Sequence, residues 1–329
     1  MAELLSNMQE NKVQQNSFSG QLSEPRFSDE KVVKTSVWVD IIDVFLNALV
    51  ALATGSVVML AEVLRGVSDV IVDGLAYIGM RRSKRQPTAR HPFGFGRELY
   101  IWSLFSTLIM FLFLASLSFY FGFRRFLDPE PVEHIFLIFF MLTVSFLING
   151  YSFSLGFRRV LQGRPFWKIR QALAQSTFLE TKITFTSDLM GALTAVFGLI
   201  ALILFEMTGN LRFDGLGAML IGLLMALFSL WLLKNVRDFI VGVSVPEETK
   251  DFIRQAALGI AGVEAVLDLK AIVIGSNRLL VNLEIHVKDG LVTDEIERLI
   301  DRVKANIKEK VTSAYHIQVE LETPDVEVK

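Results

Sequence analysis

Residues 54–69 read TGSVVMLAEVLRGVSD, and this stretch decides the fold class. A turn at Gly55-Ser56 is followed by an apolar run of the kind that begins a membrane-spanning helix. Glu62, Arg65 and Asp69 interrupt that run. Charged residues are rare inside membrane spans, and they face the bundle interior, pair with one another or mark an ion pathway. The stretch therefore predicts a membrane helix with a functional group of charges near its middle.

The composition of the whole chain also indicates a membrane protein. Of the 329 residues, 52% are hydrophobic and 27 are phenylalanine. The formal net charge of -2 gives no global reason to expect nucleic acid as a partner. The chain has no cysteine, which excludes disulfides, thiolate metal sites and cysteine nucleophiles. No phosphate-binding loop motif for nucleotide-driven pumping occurs, so we expect neither an enzyme nor a cofactor.

Six stretches are long and apolar enough to cross a bilayer, and they predict a six-helix transmembrane domain over residues 36–240. They lie at about 36–54, 56–79, 98–123, 134–157, 178–206 and 213–234. Lysine and arginine concentrate in the connections between spans 2 and 3 and between spans 4 and 5, which predicts that both termini are cytoplasmic. The polar residues 1–35 predict a flexible cytoplasmic tail. We expect an integral protein of the cell (inner) membrane, with membrane lipid as a partner.

Residues 245–329 have a different composition and predict a soluble α+β domain. The segment PEETKDFIRQAALGIAGV predicts an amphipathic helix that ends at Gly262. Two strands follow, joined at Gly275-Ser276-Asn277, then a helix with Thr293 as its N-cap and a third strand. One face of this sheet would pack on the two helices and leave the other face open for a partner or a second copy.

Four segments resemble the cation diffusion facilitator (cation efflux) family. They are the span-2 stretch above, HPFGFGRELY at 91–100, TSDLMGALTAV at 186–196 and the strand pair VEAVLDLKAIVIG and LLVNLEIHV. The resemblance covers about residues 36–324. It implies a bundle of six transmembrane helices with a ferredoxin-like, metallochaperone-like cytoplasmic α+β domain. It also implies a homodimer and the exchange of a divalent metal, usually zinc, for protons.

The resemblance implies four ligands, in which a His or Asp and an Asp four residues later lie on span 2 and again on span 5. In this chain those positions are Arg65 and Asp69, and Thr184 and Asp188. Both aspartates remain as candidate metal ligands. Arginine is permanently cationic and cannot ligate a metal, and threonine is a weak donor for a zinc site. His91 and His286 are the other candidate metal residues.

Two interpretations of Arg65 stay open. Its guanidinium can neutralise Asp69 or Asp188 permanently, as a built-in substitute for the cation. Alternatively, the acids of spans 1 and 2 form an all-oxygen cluster for a hard cation. The auxiliary acids of this second interpretation are Asp40, Asp43, Glu62 and Asp73.

Charged residues near the span ends have a further interpretation. Asp40 and Lys182 lie close enough to the cytoplasmic side to reach the membrane interface with their side chains. The sequence therefore allows two functions. One is a secondary transporter that exports a divalent cation in exchange for protons, with its substrate altered from zinc by Arg65 and Thr184. The other is a non-transporting homologue that acts as a scaffold, assembly partner or sensor, with Arg65 salt-bridged in place of the metal.

Overall fold

The computed structural model describes residues 30–161, 165–169, 172–173 and 179–324. Most of the predicted tail at 1–35 lies outside these residues. The first helix begins at Glu30, earlier than the predicted start at residue 36, because its polar first turns continue the helix beyond the apolar segment. The chain divides into two compact units, one ending at Val243 and the other beginning at Ser244.

Six long helices make up the first unit over the described residues. Five of them are long and apolar enough to cross a membrane by length and composition, and α2 is long enough but carries too many charged residues to satisfy the same criterion. The helices are α1 (Glu30–Thr54), α2 (Val57–Ser83), α3 (Glu98–Leu127, with a π-helical segment at Met110–Ala115), α4 (Ile135–Leu161), α5 (Leu179–Thr208) and α6 (Arg212–Val241).

The apolar core of this unit lies between α2 and its neighbours. Helix α2 packs against α1, α3 and α6, and α5 packs against α4 and α6. Met59, Leu142, Leu202 and Ile221 are almost fully buried where these helices meet. Large apolar side chains such as Leu52 and Phe136, each 84% exposed, cover the outside of the bundle. Such an exposed apolar surface is typical of a membrane interaction surface.

Helices α3 and α6 cross at glycines. A Cβ at Gly215 would lie 2.5 Å from the backbone nitrogen of Phe126, and one at Gly222 would lie 2.6 Å from that of Phe119. Small residues at such positions let two membrane helices approach closely. These two helices therefore form a closely packed pair against which α2 rests.

A buried carboxylate fixes the start of α2. Asp214, in the first turn of α6, is fully buried and accepts hydrogen bonds from Ser56 Oγ at 2.6 Å and from the backbone N–H groups of Val57 at 2.8 Å and Val58 at 3.2 Å. Arg125 of α3 places its Nε 3.5 Å from Asp214 Oδ2 and donates to the backbone oxygen of Gly55. The first N–H groups of a helix have no partner within the helix, and here a neighbouring helix supplies one.

The second unit has the predicted helix–strand–strand–helix–strand order. Its elements are α7 (Glu247–Leu258), β1 (Val263–Gly275), β2 (Arg278–Val287), α8 (Thr293–Lys310) and β3 (Ala314–Leu321). The sheet order is β1-β2-β3, with β1 antiparallel and β3 parallel to the central β2. Leu279, Val281, Leu283 and Ile285 alternate along β2 with less buried residues and form its apolar face. The predicted fold class, a membrane helix bundle followed by a small α+β domain, is confirmed.

Two predicted boundaries in this unit were wrong. Helix α7 ends at Leu258 and not at Gly262, which has φ +105° and instead turns the chain into β1. The N-cap of α8 is Val292 and not Thr293, because Glu295 Oε2 accepts a hydrogen bond from the Val292 backbone N–H at 3.2 Å.

The outer face of the sheet carries an exposed ion pair. Lys270 Nζ lies 2.6 Å from Asp268 Oδ2. The lysine holds the pKa of the Asp268 carboxyl below its usual range, and the carboxylate raises the pKa of Lys270. Because both side chains are exposed, the pair contributes little to stability.

We predict that Asp214→Ala destabilises the membrane domain. The substitution removes the acceptor for Ser56 Oγ and for the first N–H groups of α2, and leaving buried donors without a partner costs about 1–3 kcal/mol. The thermal unfolding midpoint of the full chain in detergent measures this effect. Asp128→Ala is the matched control because Asp128 is exposed in the connection after α3. Equal midpoints for the two variants would contradict the role given to Asp214.

Candidate functional site

The centre of the site is a buried arginine. Arg65 lies near the middle of α2, is 1% exposed and is the largest fully buried side chain of the described residues. Its Nε donates to Glu62 Oε2 at 2.7 Å and its Nη1 donates to Asp69 Oδ2 at 2.5 Å. Residues three or four positions apart lie on one face of a helix. The local sequence E-x-x-R-x-x-x-D therefore places both carboxylates against the guanidinium.

Helix α1 supplies a third carboxylate. Asp43 Oδ2 lies 3.6 Å from Arg65 Nη2. The two helices approach closely at Gly66, where a Cβ would lie 2.7 Å from Val44 Cγ2. Asn47 is buried one turn further along α1, with its Nδ2 donating to the backbone oxygen of Asp43 at 3.0 Å.

The remaining two auxiliary acids lie near this group. Asp40 interacts electrostatically with Arg65, Asp69 and Asp73. All four auxiliary acids predicted from sequence lie on α1 or α2, and Glu62 and Asp43 contact Arg65.

Helix α5 enters the cluster through a serine that the sequence analysis missed. Ser187 Oγ donates to Asp69 Oδ1 at 2.5 Å. The two oxygens of Asp69 thus have different partners, a hydroxyl of α5 on Oδ1 and the guanidinium of α2 on Oδ2. The one signal in the sequence was the position of Ser187 directly before Asp188 in TSDL.

Thr184 and Asp188 take other positions on α5. The hydroxyl of Thr184 is buried and has no hydrogen-bond partner among the described residues. Asp188 faces α4, where a Cβ at Gly156 would lie 3.8 Å from Asp188 Oδ2. Asp69, the other deep aspartate, bonds Arg65.

The cluster has more acids than one guanidinium can balance. Arg65 contacts the carboxyl groups of Asp43, Glu62 and Asp69, and it can neutralise only one unit of negative charge. Uncompensated carboxylates inside a membrane are costly. A proton or a bound cation on the other carboxyl groups would remove this cost.

The candidate histidines lie away from this cluster. His91 is exposed in the connection between α2 and α3, with its ring 4.5 Å from that of Phe95. His286 on β2 has Nδ1 3.2 Å from the backbone oxygen of Glu322 and Nε2 3.7 Å from Glu264 Oε2. Across the described residues, no group of three or more His, Asp or Glu side chains is arranged to hold a metal ion.

Lys182 is buried, although its position in the sequence suggested that it reaches the membrane interface. It is 5% exposed, its Nζ donates to Asn235 Oδ1 at 3.3 Å, and it lies 5.2 Å from the centre of the Phe239 ring. These contacts with α6 satisfy the ammonium group inside the bundle.

Two family models match the chain. The cation efflux transmembrane domain matches residues 33–240, and the cytoplasmic domain of cation efflux proteins matches residues 245–323. Together they cover both structural units.

Several known proteins are similar in sequence. The human proton-coupled zinc antiporter SLC30A9, mitochondrial, is 26% identical over 80% of this chain and 47% of its own length. Metal tolerance protein C4 of Arabidopsis thaliana is 24% identical over 80% of the chain and 58% of its own length. The chain thus matches about half the length of these relatives. An uncharacterized transporter of Methanocaldococcus jannaschii is 22% identical over 88% of the chain and 98% of its own length.

Among solved structures, the chain is similar to the MamM CTD in a nickel form, with 22% identity and a TM-score of 0.23. That similarity covers 24% of this chain and 100% of the MamM chain.

We predict that Ser187→Ala lowers the stability of the bundle. The substitution removes a hydrogen bond to a carboxylate, which is worth about 1.5–3 kcal/mol, and Ser187→Thr should retain most of it. Thr184→Val is the matched control, because the Thr184 hydroxyl has no hydrogen-bond partner among the described residues. Thermal unfolding of the full chain in detergent measures the difference. A larger loss from Thr184→Val than from Ser187→Ala would contradict the assignment of Ser187.

Proposed function

Because the chain belongs to the cation diffusion facilitator (cation efflux) family, we propose that it is a secondary transporter that exports a divalent metal cation in exchange for protons. Members of this family are transporters and not enzymes. The transport site comprises Arg65, Asp69, Thr184 and Asp188, with Asp69 and Asp188 as the residues that bind the cation. Asp40, Asp43, Glu62 and Asp73 act as auxiliary acids.

The excess of carboxyl groups around Arg65 is the observation that carries this proposal. Three carboxyl groups contact one guanidinium that is 1% exposed. A site that had merely lost its metal would gain nothing from keeping several acids inside a membrane helix bundle. Exchange of protons for a cation would explain why these acidic residues are present in the bundle. The name of the human relative, a proton-coupled zinc antiporter, supports proton coupling as the energy source.

The donor chemistry favours a hard cation over zinc. Arg65 and Thr184 stand where a zinc site of this family has two of its four ligands. The groups that remain around Asp69 are carboxylates and hydroxyls, including Ser187. Oxygen donors suit Mn²⁺, Mg²⁺ or Ca²⁺, whereas structural zinc sites use imidazole, thiolate or carboxylate in tetrahedral geometry. We therefore expect the cation to be a hard divalent ion.

One observation favours the alternative function. Arg65 Nη1 lies 2.5 Å from Asp69 Oδ2, so an ion pair occupies a position where the family holds metal. If that pair never opens, the chain keeps the family fold and acts as a scaffold, assembly partner or sensor. The two functions differ in whether any cation crosses the membrane.

We further propose a homodimer and an inner-membrane location with both termini in the cytoplasm. The second unit matches the cytoplasmic domain of cation efflux proteins. The stretch from Gly74 to Arg97, which spans the end of α2 and the connection to α3, contains no acidic residue. It contains six cationic side chains, at Arg81, Arg82, Lys84, Arg85, Arg90 and Arg97. Such connections stay on the cytoplasmic side, where anionic lipid attracts them.

Flux measurements on reconstituted vesicles test the proposal. The full chain is reconstituted, each of Mn²⁺, Mg²⁺, Ca²⁺, Zn²⁺, Fe²⁺ and Co²⁺ is offered, and metal uptake and proton flux are followed together. We expect the wild type to move at least one hard divalent cation with opposite proton flux. Asp69→Asn should abolish both fluxes because it removes the negative charge but keeps the size of the side chain.

Glu206→Gln is the matched control, since Glu206 is an exposed acid at the far end of α5. It should transport like the wild type. If the wild type moves no ion and zinc flux appears only in Arg65→His, the arginine has closed the metal site and the non-transporting function is correct.

A further inference from the structure

Glu62 has one carboxylate oxygen that its surroundings do not use. The side chain is 1% exposed, and its Oε2 accepts from Arg65 Nε at 2.7 Å. Its Oε1 is buried and has no hydrogen-bond partner among the described residues. A buried acceptor without a partner costs about 1–3 kcal/mol, and a charged one costs more. The free oxygen therefore indicates that Glu62 has a fuller set of contacts in another state of the site.

Arg65 has the donor that this oxygen lacks. The N–H groups of Nε and Nη2 lie on the same side of a guanidinium and can hold both oxygens of one carboxylate. In this structure Nε is on Glu62, while Nη2 is 3.6 Å from Asp43 Oδ2 and Nη1 is on Asp69. If Nη1 leaves Asp69, Nε and Nη2 can together hold both oxygens of Glu62.

We propose that Arg65 is a tethered counter-ion that the transported cation displaces from Asp69 onto Glu62. Before the cation binds, the guanidinium bridges Glu62 and Asp69 through the contacts described above. When the cation binds Asp69 Oδ2, the guanidinium moves onto both oxygens of Glu62. When the cation leaves, the guanidinium returns. This inference rests on the proposed transport function and adds the role of Glu62, which receives the displaced charge.

The surroundings of Asp69 fit this exchange. Ser187 holds Oδ1 at 2.5 Å, so the carboxylate stays in place while the partner on Oδ2 changes. Asp69 is then paired with either the guanidinium or the cation throughout the cycle. An intramembrane carboxylate that always has a cationic partner avoids the cost of an isolated buried charge.

Glu62 is a better acceptor for the displaced guanidinium than Asp43. The side chain of Asp43 is 37% exposed, whereas that of Glu62 is 1% exposed. Ion pairs are stronger where water is excluded. Glu62 is also on the same helix as Arg65, so the pair can form without movement of α1.

A double-mutant cycle with Mn²⁺ alone as the probe tests this inference. Mn²⁺ binding to the purified full chain is measured by calorimetry for the wild type, Glu62→Gln, Arg65→Gln and the double variant, with Glu206→Gln as the matched control. Arg65→Gln removes the competing cation and should tighten Mn²⁺ binding by about tenfold or more. Glu62→Gln removes the acceptor and should weaken binding by about tenfold or more.

The double variant gives the decisive comparison. The Arg65→Gln background has no guanidinium at position 65 for Glu62 to accept. In that background Glu62→Gln should change Mn²⁺ affinity by less than about threefold, because the two effects are coupled. Equal weakening by Glu62→Gln in both backgrounds would mean that Glu62 binds the cation itself, and this would overturn the inference while leaving transport intact. Failure of the wild type to bind Mn²⁺ would overturn the inference, and failure to move any divalent cation would overturn the proposed function as well.

Infrared difference spectroscopy provides a test that does not depend on folded variants. The wild type is prepared with arginine labelled with ¹³C in the guanidinium, and spectra with and without Mn²⁺ are subtracted. A label-sensitive band that shifts on Mn²⁺ addition is expected, since the guanidinium changes partners. The absence of such a band while Mn²⁺ binds would overturn the inference.

Discussion

The ion pairs of Arg65 are the interaction on which the rest of the membrane domain depends. One guanidinium, 1% exposed in the middle of α2, holds carboxylates from its own helix and faces another on α1. A guanidinium buried in a membrane needs hydrogen-bond acceptors for N–H groups that point in several directions. The helices that supply these contacts are therefore held at fixed positions around α2. Ser187 extends the cluster to α5 through Asp69.

The other features of the bundle keep α2 in place. Asp214 and Arg125 fix its first turn to α6 and α3, and the glycine crossing of α3 and α6 makes those two helices a close pair. Gly66 permits the approach of α1. The charged residues of α2 are thus buried because the neighbouring helices pack closely around it. The surrounding helices provide the apolar outer surface of the bundle.

Much of this could be predicted from the sequence, because length, charge and helical spacing are local properties. The spans follow from apolar runs, and the pairing of Arg65 with Asp69 follows from a spacing of four residues on one helix. Contacts between helices could not be predicted in the same way. Three contacts depend on how helices rotate against one another: the bond from Ser187 to Asp69, the capping of α2 by Asp214, and the burial of Lys182 against Asn235. A hydroxyl or an acid in a sequence does not indicate which neighbouring helix it will meet.

The number of protons released for each cation bound tests the central claim most directly. Calorimetry of Mn²⁺ binding to the full chain, repeated in buffers of different protonation enthalpy, gives that number. If the carboxyl groups around Arg65 exchange protons for a cation, Mn²⁺ binding will release protons, and Asp69→Asn will abolish both binding and release. Mn²⁺ binding without proton release, or binding that survives Asp69→Asn unchanged, would contradict the assignment of this cluster as the site of exchange.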